Sequence, residues 1–168
     1  MTIMSTRESL AFGADLRSDT AALHGLVAAM LAPVRDAMLA DPSRGIHALR
    51  DPTRGGLATL LNEIAGQSGA GMLIEEGAIP VRPQVEAACE FLGLDPLYVA
   101  NEGKLVAFVA ARDADAVLAA MRAHPLGRDA ARIGTVTEDP HHFVQMATRF
   151  GGKRVVDWLT GEQLPRIC

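Results

Sequence analysis

Three short stretches of the chain carry residues able to do chemistry: Asp51-Pro52-Thr53-Arg54-Gly55-Gly56, Asn101-Glu102-Gly103-Lys104 and Pro165-Arg166-Ile167-Cys168. Cys168 is the last residue of the sequence, and a thiol on a terminal peptide can be carried into a pocket or handed to another protein. It is therefore a candidate carrier of a covalently attached group, beside the plainer reading of an unpaired surface thiol. The cysteine's own α-carboxylate disfavours the thiolate, and the neighbouring Arg166 partly offsets that charge. A prenylation box needs its cysteine four residues from the end, so Cys168 is not a lipid anchor of that kind.

The first motif stands ahead of the clearest apolar period in the sequence. Leu57, Leu60, Leu61 and Ile64 fall at i, i+3, i+4 and i+7, one face of a helix that Gly66-Gln67-Ser68-Gly69 stops. Asp51 can cap that helix with Pro52 in its first turn, or Thr53 can cap it one step later. Either choice puts Gly55 and Gly56 in the first turn, although glycine costs about 1 kcal/mol relative to alanine inside a helix. The pair implies that another backbone or a phosphate comes close there, since first-turn N–H groups and the helix dipole attract anions. Arg54 adds a planar fork for phosphate or carboxylate oxygens. The alternative is a helix–strand junction in which Arg54 pairs with Asp51.

The second motif leads into Leu105-Val106-Ala107-Phe108-Val109-Ala110, a continuous apolar run that marks a strand covered on both faces and central in its sheet. Glu102 then falls at a sheet end, where α/β proteins collect their ligands. A half-desolvated carboxylate in that place can move protons near neutrality, with Lys104 supplying a countercharge or hydrogen bond. The alternative is a solvated turn in which both side chains face water. Cys89 shares a helix side with Val85 and Leu92 and reads as core. His141 and His142 lack a partner at ligand spacing and read as loop histidines, so no metal site is expected.

The elements that must hold these motifs alternate early and pair late. A short strand over the first five residues precedes an N-cap at Ser18-Asp19-Thr20 and a helix from Leu23 to Leu31, closed by Pro33. Residues 34–45 are weakly patterned and end in a turn before a strand at Ile46 to Leu49. Strands follow at 71–74, 105–110, 133–136 and 143–147, with helices at 82–92 and 113–122, the latter turning Val117, Leu118 and Met121 inward. Phe150-Gly151-Gly152-Lys153 makes a hairpin turn into Arg154 to Trp158. The pattern predicts an α/β (α+β) fold, a single mixed sheet covered by helices, with one domain over 1–160 and a mobile tail over 161–168.

With 168 residues, 49% of them hydrophobic, the chain can bury a substantial core, on the order of 70% of its unfolded surface. Sixteen basic against twenty acidic residues give a net charge of −4 with no basic stripe interleaved with aromatics, which argues against a nucleic-acid partner. Two cysteines are too few for a disulfide framework and suit a reducing compartment. The first residues have no signal-peptide pattern and no apolar run reaches the 18 or so residues of a membrane span, so a cytoplasmic location without membrane partners is expected.

Taken in order, Asp-Pro-Thr-Arg-Gly-Gly-Leu-Ala-Thr at 51–59, Asp-Pro-Leu-Tyr-Val-Ala-Asn-Glu-Gly-Lys at 95–104 and the closing Pro-Arg-Ile-Cys closely resemble the HypE family of hydrogenase maturation proteins. The first two motifs are shared more loosely with the superfamily of aminoimidazole ribonucleotide synthetase (PurM), selenophosphate synthetase and thiamine-phosphate kinase; the cysteine tail singles out HypE. The resemblance implies the C-terminal half of an ATP-using, magnesium-dependent homodimer, in a PurM C-terminal-domain fold, with the other half preceding Met1. It implies that Cys168 receives a carboxamide from the carbamoyltransferase HypF and that ATP activates the amide oxygen, loss of phosphate leaving a thiocyanate. The cyanide then passes to iron on the HypC–HypD scaffold of the [NiFe] hydrogenase pathway.

Carried onto these positions, Cys168 is the carrier and Glu102 the base that takes the amide proton. Asp51, Thr53, Arg54, Gly55 and Gly56 form a loop facing the phosphates, with Asn101 and Lys104 beside it. The resemblance puts most nucleotide and metal contacts in the other half, so no nucleotide is expected to bind this chain tightly on its own. Two other readings are a module that presents Cys168 and docks HypF or HypC–HypD without touching nucleotide, and another enzyme of the superfamily such as selenophosphate synthetase.

Overall fold

The computed structural model describes residues 18–159. In chain order these form helices α1 (His24–Leu31) and α2 (Arg35–Ala40), strand β1 (Ile46–Arg50), helix α3 (Gly56–Ser68), strand β2 (Gly71–Glu75), helix α4 (Pro83–Leu92), strand β3 (Val106–Val109), helix α5 (Ala114–Ala123), and strands β4 (Gly134–Thr137), β5 (Val144–Ala147) and β6 (Lys153–Val155). The strand expected over the first five residues, the tail at 161–168 and Cys168 lie outside the described residues.

The α/β class read from the sequence is the one adopted, with the strands divided between two sheets rather than gathered in one. A four-stranded sheet runs β4-β2-β5-β6, with β2 and β5 parallel and the outer pairs antiparallel. Its strands alternate as a one-sided sheet must: Met72, Ile74, Val144 and Met146 are buried and pack with Ala58, Leu60, Leu61 and Ala65 of α3. The period seen in the sequence is thus the face that α3 lays on this sheet, and Gly69 ends the helix in the left-handed conformation at φ 67°. The expected hairpin joins β5 to β6, closed by Thr148 N–H to the Gly152 carbonyl at 2.8 Å.

The run at 105–110 is not a central strand of that sheet. β3 pairs with β1 alone, antiparallel, with Leu49 opposite Ala107 and Arg50 opposite Val106. Its apolar continuity has another cause, because the ribbon stands between two cores. Val106 and Phe108 pack on the α3 cluster, while Leu105, Ala107 and Val109 pack on a second cluster of Leu26, Met30, Val34, Ile46 and Val117. Helices α1 and α5 supply Leu26, Met30 and Val117 of that second core.

Ser18-Asp19-Thr20 does not cap α1. The helix starts at His24 with no side-chain cap, while the Ser18 hydroxyl accepts from the Thr20 N–H at 3.3 Å. The segment is held instead by the 101–104 loop, described below. The weakly patterned stretch contains α2, whose face is too mixed to announce itself and leaves Leu39 largely exposed. Among the described residues Asp113 is the one buried charged side chain, 4% exposed. Arg44 grips it with Nε and its terminal nitrogen, and the Gly45 N–H donates to it at 2.7 Å. The Arg44 hydrogen bond, seconded by that of Gly45, holds the Asp113 carboxyl far below the usual carboxylate range.

Candidate active site

The turn before α3 is built by its two glycines. Gly55 has φ 73° and Gly56 φ 63°, a conformation other residues adopt only under strain. A Cβ on Gly56 would lie 2.5 Å from the Leu97 carbonyl oxygen and 2.7 Å from that of Val99. The close approach that the glycine pair announced is therefore made at Gly56 by the backbone of 97–99. Neither Asp51 nor Thr53 caps the helix with its side chain: Gly55 occupies the N-cap position, and the Gly56 N–H donates to the Thr53 carbonyl at 3.2 Å.

That approach welds the two motifs. Asn101 N–H donates to the Pro52 carbonyl at 2.9 Å, and the Asn101 side-chain amide donates to the Val99 carbonyl at 2.8 Å. As a result Asp51, Glu102 and Lys104 line one open groove of about 330 Å³, with Arg50 beside them and an apolar floor that includes Leu23, Val27, Leu49 and Leu105. Thr53, Arg54, Gly55 and Gly56 stand outside its lining, at the head of α3. Arg54 is exposed and makes no ion pair among the described residues, so the structural pairing with Asp51 is not formed.

Glu102 is exposed rather than half-desolvated, in the loop that precedes β3. Lys104 does not neutralise it: Lys104 Nζ donates to Asn101 Oδ1 at 2.9 Å and to Asp19 Oδ2 at 2.7 Å. Asp19 is a site residue that local sequence reading took for a helix cap. Burial pushes its carboxyl up, but the hydrogen bond and charge of Lys104 outweigh burial and hold it below its ordinary value.

One polar atom near the first motif is unpaired. Thr59 Oγ1 is buried without a hydrogen-bond partner among the described residues, directly against Gly55, and buried hydroxyls are ordinarily satisfied. This orphan, the uncapped N-terminus of α3 and the exposed Arg54 suit an anion at the head of the helix. Magnesium finds no such fit: among the described residues no three His, Cys, Asp or Glu side chains stand together to hold a metal ion. His141 and His142 are exposed, and Cys89 is buried on α4, where desolvation pushes its thiol up. Among the described residues no helix is long and apolar enough to cross a membrane.

Comparison with known proteins shows the family of the chain. Residues 1–147 match the family described as AIR synthase related protein, C-terminal domain. The carbamoyl dehydratase HypE of Cupriavidus necator is 70% identical over 166 residues, which is 99% of this chain and 45% of that protein. A HypE crystal structure in complex with ATP superposes with a TM-score of 0.82 at 48% identity, over 99% of this chain and 48% of that one. The structure of a HypE–HypF complex matches with a TM-score of 0.82 at 41% identity, over 94% of this chain and 48% of that one. The chain spans about half the length of the curated relatives it matches. It belongs to the AIR synthase related C-terminal domain family, and within that family it is similar to the HypE hydrogenase maturation proteins.

Proposed function

We propose that this chain is the tail-bearing half of a HypE-like carbamoyl dehydratase. In this reading Cys168 receives a carboxamide from a HypF-like carbamoyltransferase, and Glu102 takes an amide proton as that group is dehydrated to a thiocyanate. The cyanide then goes to iron on a HypC–HypD-like scaffold, the iron being cargo. A primary amide becomes a nitrile only when its oxygen is made a leaving group and both N–H protons are removed, so a carboxylate within reach of the carrier is required. The observation that carries the reading is the groove in which Asp51 and Glu102, from motifs far apart in sequence, stand together.

Two further observations support it. Tyr98 Oη donates to the Asp157 carbonyl at 3.0 Å, which holds the chain's exit beside the same 96–98 turn that leads into Asn101. The 9 residues that follow Leu159, ending in Cys168 (168 − 159), can span up to about 30 Å when extended. When bound, ATP supplies the activation that turns the amide oxygen into a leaving group. Arg54, Gly55 and the first turn of α3 would meet its phosphates, while Thr53, Gly56, Asn101 and Lys104 shape and steady the two loops. Magnesium contacts and a homodimer interface belong to the remainder of the longer protein, and the cytoplasm is its setting.

The test uses a chimera in which this chain replaces the matching segment of the Cupriavidus necator relative. After incubation with a HypF-like carbamoyltransferase and then ATP, mass spectrometry should find the carbamoyl group, and later the thiocyanate, on Cys168. Modification of Cys89, or undiminished modification in a Cys168→Ala chimera, overturns the assignment.

A further inference from the structure

The segment 18–22 lies directly over the 101–104 loop. A Cβ on Gly103 would fall 1.3 Å from the Asp19 carbonyl oxygen, so the two backbones touch there, and the Asp19 carboxylate reaches Lys104 Nζ at 2.7 Å. Ala21 and Leu23, just beyond Asp19, line the groove together with Glu102 and Lys104. In the sequence one residue, Gly103, stands between Glu102 and Lys104.

The charged groups gathered around Glu102 in the groove are Arg50, Asp51 and Lys104. Arg50 is taken by Glu63 at 2.7 Å, which leaves Lys104 as the cation whose partner decides the charge beside Glu102. Asp19 holds it, and among the described residues Glu102 makes no ion pair. We propose that Asp19 is a positioning residue: by holding Lys104 it keeps Lys104 off Glu102 and leaves the Glu102 carboxylate open to the amide proton. This rests on the reading of Glu102 as the proton acceptor. Without the Asp19 charge, Lys104 turns to the nearest carboxylate, and a base engaged in an ion pair accepts a proton less readily. Because both groups are exposed, the handicap is small, roughly 2- to 5-fold in rate.

The experiment measures ATP-dependent thiocyanate formation in the same chimera. Asp19→Asn should lower kcat roughly 2- to 5-fold with the KM for ATP unchanged, and Asp19→Glu should restore it. The deficit should shrink at about 1 M salt, where charges are screened within about 3 Å, whereas a loop that has merely lost its order gains nothing from salt. Wild-type kcat in Asp19→Asn, or a deficit that salt leaves untouched and that tracks a fall in melting temperature, overturns the proposal. Glu102→Gln runs beside it as the control. If Glu102→Gln is slow and Asp19→Asn is not, the role of Asp19 fails alone; if Glu102→Gln is as fast as wild type, the assignment of Glu102 fails and takes this proposal with it.

Discussion

The Asn101 N–H donates to the Pro52 carbonyl at 2.9 Å, between residues 49 positions apart in sequence (101 − 52). This bond lies between the two loops that carry Asp51 and Glu102, and it fixes the opening of the groove between them. The loops cannot shift independently, because Gly56 packs against the carbonyls of Leu97 and Val99 on the approach to Asn101. The site is thus a seam between the head of α3 and the entry to β3.

That seam depends on a hydrogen atom at position 56. Gly56→Ala forces a Cβ into a left-handed residue and against the Leu97 carbonyl, at about 2–4 kcal/mol. The melting temperature should drop by roughly 5–15 °C. Gly66→Ala, in the same helix but facing open space, should instead stabilise, by about 0.5–1 kcal/mol. Thermal unfolding of the two variants therefore moves in opposite directions, and parallel shifts would contradict the packing described.

Asp113 makes stability depend on acid. Its carboxyl is held below the ordinary value by Arg44 and the Gly45 N–H. The folded state therefore favours the charged form, and this stabilisation is fully present above the unfolded carboxyl's value, about 4. It is lost progressively as pH falls below that value. Denaturant unfolding from pH 7 to pH 3 should show the wild type losing more stability than Asp113→Asn, which has no charge to lose there. Curves that stay parallel through the acid range would count against the Arg44–Asp113 anchor.

Cys89 should be chemically silent in the folded chain. It is buried on α4 with its thiol pushed up by desolvation, and both effects suppress the reactive thiolate. In a Cys168→Ala chain, where Cys89 is the one thiol left, a disulfide reagent should react slowly in buffer and rapidly in denaturant. Fast labelling in buffer would mean that α4 opens or that Cys89 is not buried.

The helices with a clean period were legible from sequence, and α3 was the clearest because Leu57, Leu60, Leu61 and Ile64 report burial on one side only. The 105–110 run announced two covered faces, yet no local pattern distinguishes a central strand from a two-stranded ribbon between two cores. The glycine pair announced a close approach, but its partner at 97–99 is a backbone and leaves no mark in side-chain types. Asp19 was misread for a related reason: an aspartate shortly before an apolar run has the pattern of a helix cap, and its true partner, Lys104, is 85 positions away. Long-range pairing of polar side chains is the part of the site that composition and period do not encode.

The decisive substitution is Glu102→Gln. Glutamine keeps the size and hydrogen-bonding reach of the side chain but cannot take a proton, and Glu102 is exposed with no ion pair among the described residues, so the fold has little to lose. Loss of a general base costs about 10²- to 10⁴-fold in rate. In the chimera, carbamoylation of Cys168 should proceed normally in Glu102→Gln, since proton abstraction belongs to the later step. Conversion to thiocyanate with ATP should then fall by that factor. Asp51 lines the same groove and is the competing carboxylate; Asp51→Asn should weaken conversion less than Glu102→Gln if Glu102 accepts the proton. The reverse order of rates would move the base to Asp51 and return Glu102 to the role of a solvated turn residue.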